Sequence, residues 1–349
     1  MSGTARQQKP KVTMQQIADA LGLSRNTVSK AFNAHATVPE RTRALIFKKA
    51  QELGYQSIPP AAKHTAANLA LLTRSMPNQS HYGSGFISAF SHAMSAAGYT
   101  LAIYIVSGED AAALRLPPNL SAQNIAGILA IELFDRGYCD FLSALGVPVL
   151  FSDIYARADY TSLAADVIMM ENRASACTLT TGLVQRGAKS VGFVGDKAHC
   201  NSFYERWCGY RQALNRAKLT MNPEACVLAA DNSAAYGSST WMAGQLRAMP
   251  ALPDAFVCAN DYIAISLIKA LHKLGVNVPR EVQVTGFDDS PEAKVIEPAL
   301  TTVRIPSEGM GAIGAEMLLS RIRNPELPYR STCVQTCIKW RESSGAAGL

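Results

Sequence analysis

The sequence predicts a small all-α module of helix-turn-helix type followed by a two-lobed α/β body built on parallel, doubly wound sheets. Three observations predict it. A chain of 349 residues is too long for one ordinary domain and suits two or three. Near the N-terminus, apolar residues recur at helical spacing on either side of a glycine. From Leu69 onward, short apolar runs alternate with helix-length segments in two successive sets of four.

Thr13 can cap a first helix, and Gln16 three residues on completes a capping box. Ile17, Ala20 and Leu21 fall on one face of that helix, and Gly22 ends it because a tight turn wants a residue that tolerates positive φ. Ser24 caps a second helix through Thr27, Val28, Ala31 and Phe32. Ala18, Gly22 and Val28 make the pattern specific. A small residue lets two helices cross closely, a glycine turns the chain, and an apolar residue packs the second helix on the first. A third helix is expected from about Pro39 to Leu53, with proline in its first turn and Gly54 just beyond its end.

The polar face of the second helix suits a duplex groove. Arg25 and Asn26 at its N-terminus, with Lys30 one turn on, carry side chains that read base edges: Arg and Lys suit guanine, Asn suits adenine. Thr13, Thr27, Ser29, Asn33 and Thr42 suit phosphates, which position a module without reading sequence. Charge agrees. Residues 1–64 hold ten Lys/Arg against three acids, +7, while the whole chain is +6, so the remainder carries −1. A basic module on a near-neutral body is the footprint of a polyanion binder.

The stretch Val12 to Asn33, with Val38, Thr42-Arg43 and Glu52-Leu-Gly-Tyr55, resembles the headpiece of the lactose/galactose-repressor family. The resemblance implies a transcription regulator, most simply a repressor, that binds a pseudo-palindromic double-stranded DNA operator as a homodimer in the cytoplasm. It implies headpiece 1–55, hinge 56–66, a first lobe of 67–165 plus 290–325, and a second of 166–289 plus 326–345, with crossings near 165, 290 and 326. The hinge departs from the family pattern. Ser57-Ile58 stand where Pro-Asn is usual, and His64 where a leucine wedges into the minor groove. Pro59-Pro60 allow either a helix start or an extended linker, and Ile58 is the one large apolar residue nearby.

The candidate strands of the body are Leu69–Thr73, Leu101–Val106, Ala126–Ile131 and Val147–Asp153, then Ser190–Gly195, Cys226–Ala230, Ala255–Ala259 and Val282–Phe287. Two doubly wound lobes leave a cleft at their strands' carboxyl ends. Asp153, Asn260-Asp261 and Asp288 stand at strand ends, and Arg206 opens a helix; such groups can grip neighbouring hydroxyls of a sugar. The resemblance extends to Glu171-Asn172, Ser202–Leu214, Pro253–Asp261, Val278-Pro279, Gly286–Asp289 and Pro298–Thr302. It implies a periplasmic-binding-protein-like sensor whose effector contacts are Arg206, Asn260 and Asp288, with Asp153 and Tyr82 matching less closely. Asp261 reads as a structural cap. Asn232, with Tyr236 nearby, stands where relatives place a stacking aromatic, which favours a sugar or sugar derivative over a purine.

The apolar segment Ser307–Ile322, with Gly309, Gly311, Gly314 and Ala315, suits either a subunit interface or tight packing on the body. No leucine heptads follow it. Eight cysteines without a C-x-x-C pair read as buried free thiols in a reducing compartment, and Cys333 and Cys337 would share one face of a strand. No run of about 18 apolar residues argues for a membrane span, and the polar start argues against a secretory leader. Gly83-Ser-Gly85 lacks the third glycine of a dinucleotide loop, no G-x-S-x-G elbow frames a nucleophile, and the six histidines lack metal-ligand spacing. Neither an enzyme nor a cofactor is expected. The alternative is a cytosolic small-molecule receptor of the same fold with weak or lost specific DNA binding.

Overall fold

The computed structural model describes residues 12–32, 38–53, 55, 67–75, 82–231 and 234–345. The chain forms two compact units, Met1–Ala67 and Asn68–Leu349. In the first, α1 (Met14–Leu21), α2 (Arg25–Ala31) and α3 (Glu40–Leu53) enclose Ile17, Ala18, Val28, Ala31, Ile46 and Ala50. The predicted capping box is present: Thr13 Oγ1 accepts from Gln16 N, and Thr13 N donates to Gln16 Oε1 at 2.8 Å. Gly22 closes α1 in the left-handed region at φ 64°, with its N–H donating to the Ala18 and Asp19 carbonyls. Ser24 Oγ accepts from Thr27 N at 3.0 Å and starts α2. Phe32 stacks on Tyr55 and meets Phe47 edge-on, which closes the helices into one small core.

The second unit runs through β1 (Ala67–Thr73), α4 (Tyr82–Ala96), β2 (Tyr99–Ile105), α5 (Gly108–Ala112), β3 (Gly127–Ile131), α6 (Arg136–Ser143), β4 (Val149–Ser152) and β5 (Asp166–Met170). It continues with α7 (Arg173–Gln185), β6 (Val191–Val194), α8 (Asn201–Arg216), α9 (Ser239–Arg247), β7 (Ala255–Cys258), α10 (Asp261–Lys273) and β8 (Gln283–Thr285). Last come α11 (Pro291–Val295), β9 (Thr302–Arg304), α12 (Ser307–Arg323), β10 (Ser331–Val334) and β11 (Cys337–Lys339). The first lobe's sheet has the order β10-β5-β4-β3-β1-β2, and the second lobe's is β6-β7-β8. Every pairing resolved within these two sheets is parallel. The central strands β3, β4 and β5 are buried at every residue, because helices cover both faces.

Three expectations change. Asp166–Met170 pairs with β4, and Ser331–Val334 pairs with Asp166–Met170, so both strands belong to the first lobe. The first and third crossings therefore fall after Met170 and Val334 rather than near 165 and 326. The reason is a long-range ion pair that conceals a polar strand start. Asp166, 1% exposed, takes two hydrogen bonds from Arg321 of α12, both 3.0 Å, and one from Arg330 N. Cys226–Ala230 is not a strand; a single bridge joins Val227 to Val194. Cys333 and Cys337 lie on β10 and β11, either side of the third crossing, and both are exposed rather than buried.

The helix with small residues packs on the body. α12 lies along α4, where a side chain at Gly311 would overlap the Phe86 carbonyl and come within 3.0 Å of Ala89 Cβ. Gly314 likewise sits against the Phe86 ring, while Gly309 faces open space.

Candidate effector cleft and DNA-reading face

On α2, Arg25, Asn26, Ser29 and Lys30 are exposed, while Val28 and Ala31 are buried. At about 3.6 residues per turn the four polar residues form one contiguous arc opposite the core. That arc is thus free within its own unit. Thr13 and Thr27 spend hydrogen-bonding capacity inside the headpiece, as the α1 cap and in a 2.8 Å bond with Ser24 Oγ. Thr42 is half-buried at the start of α3. Asn33, Ile58, His64 and Asn232 lie outside the described residues, and so does the side chain of Tyr82.

The body holds a cavity of about 840 Å³ at the carboxyl ends of both sheets. Asp153, Arg206, Asn260 and Asp288 all line it. Each follows a parallel strand, or sits on the helix after one, because chain reversals at that edge bring strand ends together. Arg206 lies in the second turn of α8 rather than opening it. It is 3% exposed; Nε donates to Asn172 Oδ1 at 2.9 Å and Nη1 to the Ala259 carbonyl at 2.6 Å. Its guanidinium lies 3.6 Å from the Phe287 ring centroid and 3.7 Å from Asp288.

The two carboxyls have different supports. Asp153, at φ 63°, accepts from Ile154 N and Ser202 N. Burial pushes its pKa up, opposed by those hydrogen bonds and by the Arg206 charge. Burial also raises Asp288, against the pull of Arg206 and with the push of Asp261. Asn260 caps α10 through Oδ1, which accepts from Ile263 N at 3.0 Å; its Nδ2 makes no bond among the described residues. Asp261 is not the cap. It accepts from Thr302 Oγ1 at 2.5 Å and Ser290 N at 2.8 Å, tying α10 to the second crossing.

Sequence reasoning missed an aromatic cluster on the same wall. Phe134 and Phe203 each lie 5.0 Å from the His199 ring, and all three line the cavity. His199 Nδ1 is 2.5 Å from Asp231. Burial opposes protonation of the imidazole, yet the hydrogen bond and charge of Asp231, with Asp153 and Asp196, raise its pKa overall. Arg74, Ser75, Glu132, Asp135, Tyr138 and Ser202 add further polar groups to the lining. The available signal was position: these residues follow β1, β3 and β6 at the strand ends that build such clefts. Tyr236, by contrast, does not line the cavity and donates to the Ala229 carbonyl. No cluster of three or more candidate metal ligands occurs among the described residues.

A helix-turn-helix unit with an exposed polar arc on its second helix, followed by a two-lobed body with a cleft, is the arrangement of a ligand-responsive transcription regulator. Residues 180–344 match the model of the periplasmic binding protein-like domain. The chain is 25% identical over 337 residues to the ribose operon repressor of Haemophilus influenzae, covering 95% of this chain and 98% of that one. It is 28% identical over 323 residues to the transcriptional repressor PurR of Proteus mirabilis, covering 89% and 91%. A solved lac repressor dimer, bound to operator and the anti-inducer ONPF, has the same fold: TM-score 0.68, 20% identity, 97% and 100% coverage. Over nearly its whole length the chain is similar to DNA-binding transcriptional repressors of the lactose/galactose-repressor type. No helix among the described residues is long and apolar enough to cross a membrane.

Proposed function

We propose that this chain is a cytoplasmic repressor that binds a pseudo-palindromic operator as a homodimer and is switched by a carbohydrate effector between its two lobes. The observation that carries DNA reading is the exposed arc of Arg25, Asn26, Ser29 and Lys30 on α2. Arg25, Asn26 and Lys30 read base edges; Thr13, Thr27, Ser29, Asn33 and Thr42 hold phosphates. Dimerisation is supported by the lac repressor, solved as a dimer on its operator. Two headpieces then meet two half-sites.

Asp153, Arg206, Asn260 and Asp288 supply donors and acceptors for hydroxyls, and Tyr82 stands at the start of α4. Phe134 and Phe203 offer apolar faces to a sugar's C–H side, so the cleft does not depend on an aromatic at Asn232. One sugar-named relative is the ribose operon repressor of Haemophilus influenzae. The effector acts by favouring one lobe arrangement over the other.

The test is fluorescence anisotropy with duplexes selected from a random pool, repeated across salt concentrations. Log affinity falls with log salt as phosphates are neutralised. Arg25→Ala relaxes preference at one base pair, at a cost of about 1–3 kcal/mol. Binding that ignores salt, or that weakens equally on all sequences in this variant, overturns the assignment of Arg25 as a reader.

A further inference from the structure

We infer that the body carries a second ligand site, for the phosphate group of a small metabolite, in a cavity at the interlobe hinge, where the chain crosses between lobes, distinct from the effector cleft. This cavity encloses about 660 Å³ and shares one wall residue with the cleft, Asp288. Its charge pattern sets it apart. Lys294 of α11, Arg304 of β9 and Lys339 of β11 all line it, and none of them forms an ion pair among the described residues.

The ladder register brings two of these cations together. In the antiparallel β9–β11 pair, Arg304 stands opposite Cys337 and Thr302 opposite Lys339. Residues opposite one another, and alternate residues along a strand, share a face. Arg304 and Lys339 are therefore diagonal neighbours on one face, with backbones about 7–8 Å apart. Lys294, on α11 ahead of β9, lines the same space.

The acidic groups nearby do not cancel this charge. Asp288 faces Arg206 at 3.7 Å, and Asp289 is held by Arg341. Glu308 is the remaining carboxylate of the lining, leaving three cations against one. Like charges held this close repel unless a counter-charge sits between them. The space for one is there: Gly309 in the first turn of α12 has nothing within 4 Å of where a side chain would begin. First-turn N–H groups lack intrahelical acceptors and complement an oxyanion already drawn by the cations.

A phosphate here touches residues that precede β9, end it and follow the third crossing. Lys294 and Asp288 precede β9, Arg304 ends it, and Lys339 follows the third crossing. Its occupancy biases the same lobe movement that the effector uses, through the shared Asp288 wall.

The experiment is isothermal titration of the full chain with inorganic phosphate and with glucose 6-phosphate, each against potassium chloride of matched ionic strength. It is repeated on Arg304→Gln, Lys339→Gln and Arg206→Met, with duplex DNA binding measured in parallel. Saturable binding is expected, weakened about tenfold or more by either hinge variant and kept in Arg206→Met. Equal affinity for both probes identifies free phosphate as sufficient; preference for the ester identifies a phosphorylated metabolite. Arg304 is exposed and its side chain makes no hydrogen bond among the described residues, so its replacement leaves the fold intact. The inference is overturned if neither probe binds saturably. It is equally overturned if binding survives both hinge variants, which assigns the anion to the headpiece, or is lost only in Arg206→Met, which assigns it to the effector cleft. Duplex binding reports separately on the regulator reading.

Discussion

Replacing Arg206 by methionine tests whether one buried cation holds the cleft together. The guanidinium satisfies Asn172 Oδ1 and the Ala259 carbonyl, in residues 3% and 0% exposed. Methionine keeps contact with the Phe287 ring but can donate to neither acceptor. Each unsatisfied buried acceptor costs about 1–3 kcal/mol, so two bracket the loss at about 2–6 kcal/mol. The charge penalty at Asp288 stays small, because burial already pushes that carboxyl toward its neutral form. With a urea slope of about 2–3 kcal/mol per molar, a loss near 4 kcal/mol lowers the midpoint by roughly 1.3–2 M. Trp207, the next residue and 5% exposed, reports the transition by fluorescence. Arg206→Lys, which can keep one of the two bonds, falls between wild type and methionine. The same samples are titrated with candidate sugars, since a ligand at 100 times its Kd stabilises by about 2.7 kcal/mol, and that gain disappears in the methionine variant. An unchanged midpoint, with the sugar response intact, refutes the assignment of Arg206 as the keystone of this wall.

Three further outcomes follow from the same geometry. Gly311→Ala, which drives a methyl into the Phe86 carbonyl, destabilises by about 1–3 kcal/mol in urea melts, while Gly309→Ala, in open space, does not. Asp166→Leu leaves the buried Arg321 without its carboxylate and costs about 3–5 kcal/mol, read by thermal melting. Because the folded pKa of Asp288 is raised, the native state holds a proton that the unfolded state releases. The stability from this group is complete below the ordinary carboxylate range and declines as pH rises above it; Asp288→Asn flattens that slope in pH-dependent urea melts.

The sequence by itself determined the headpiece in almost every particular. The Thr13–Gln16 box, the Gly22 turn and the Ser24 cap all rest on hydrogen bonds spanning three or four residues, so local identity is sufficient. It also located most strands of the body, since a strand buried on both faces needs a continuous apolar run. Cys226–Ala230 shows the limit of that rule: the run is apolar, yet a strand forms only where a neighbour offers a ladder, and Val194 offers one bridge.

Only the tertiary structure decided how the ends meet. Arg321 and Asp166 are 155 residues apart, and their pairing is what lets the polar start of β5 be buried. Phe134, His199 and Phe203 become one surface only because β3 and β6 end at the same edge of the body. Arg304 and Lys339 become neighbours only through the β9–β11 register. Contacts of this kind depend on which distant surfaces the packed core brings together, and no window of sequence contains both partners.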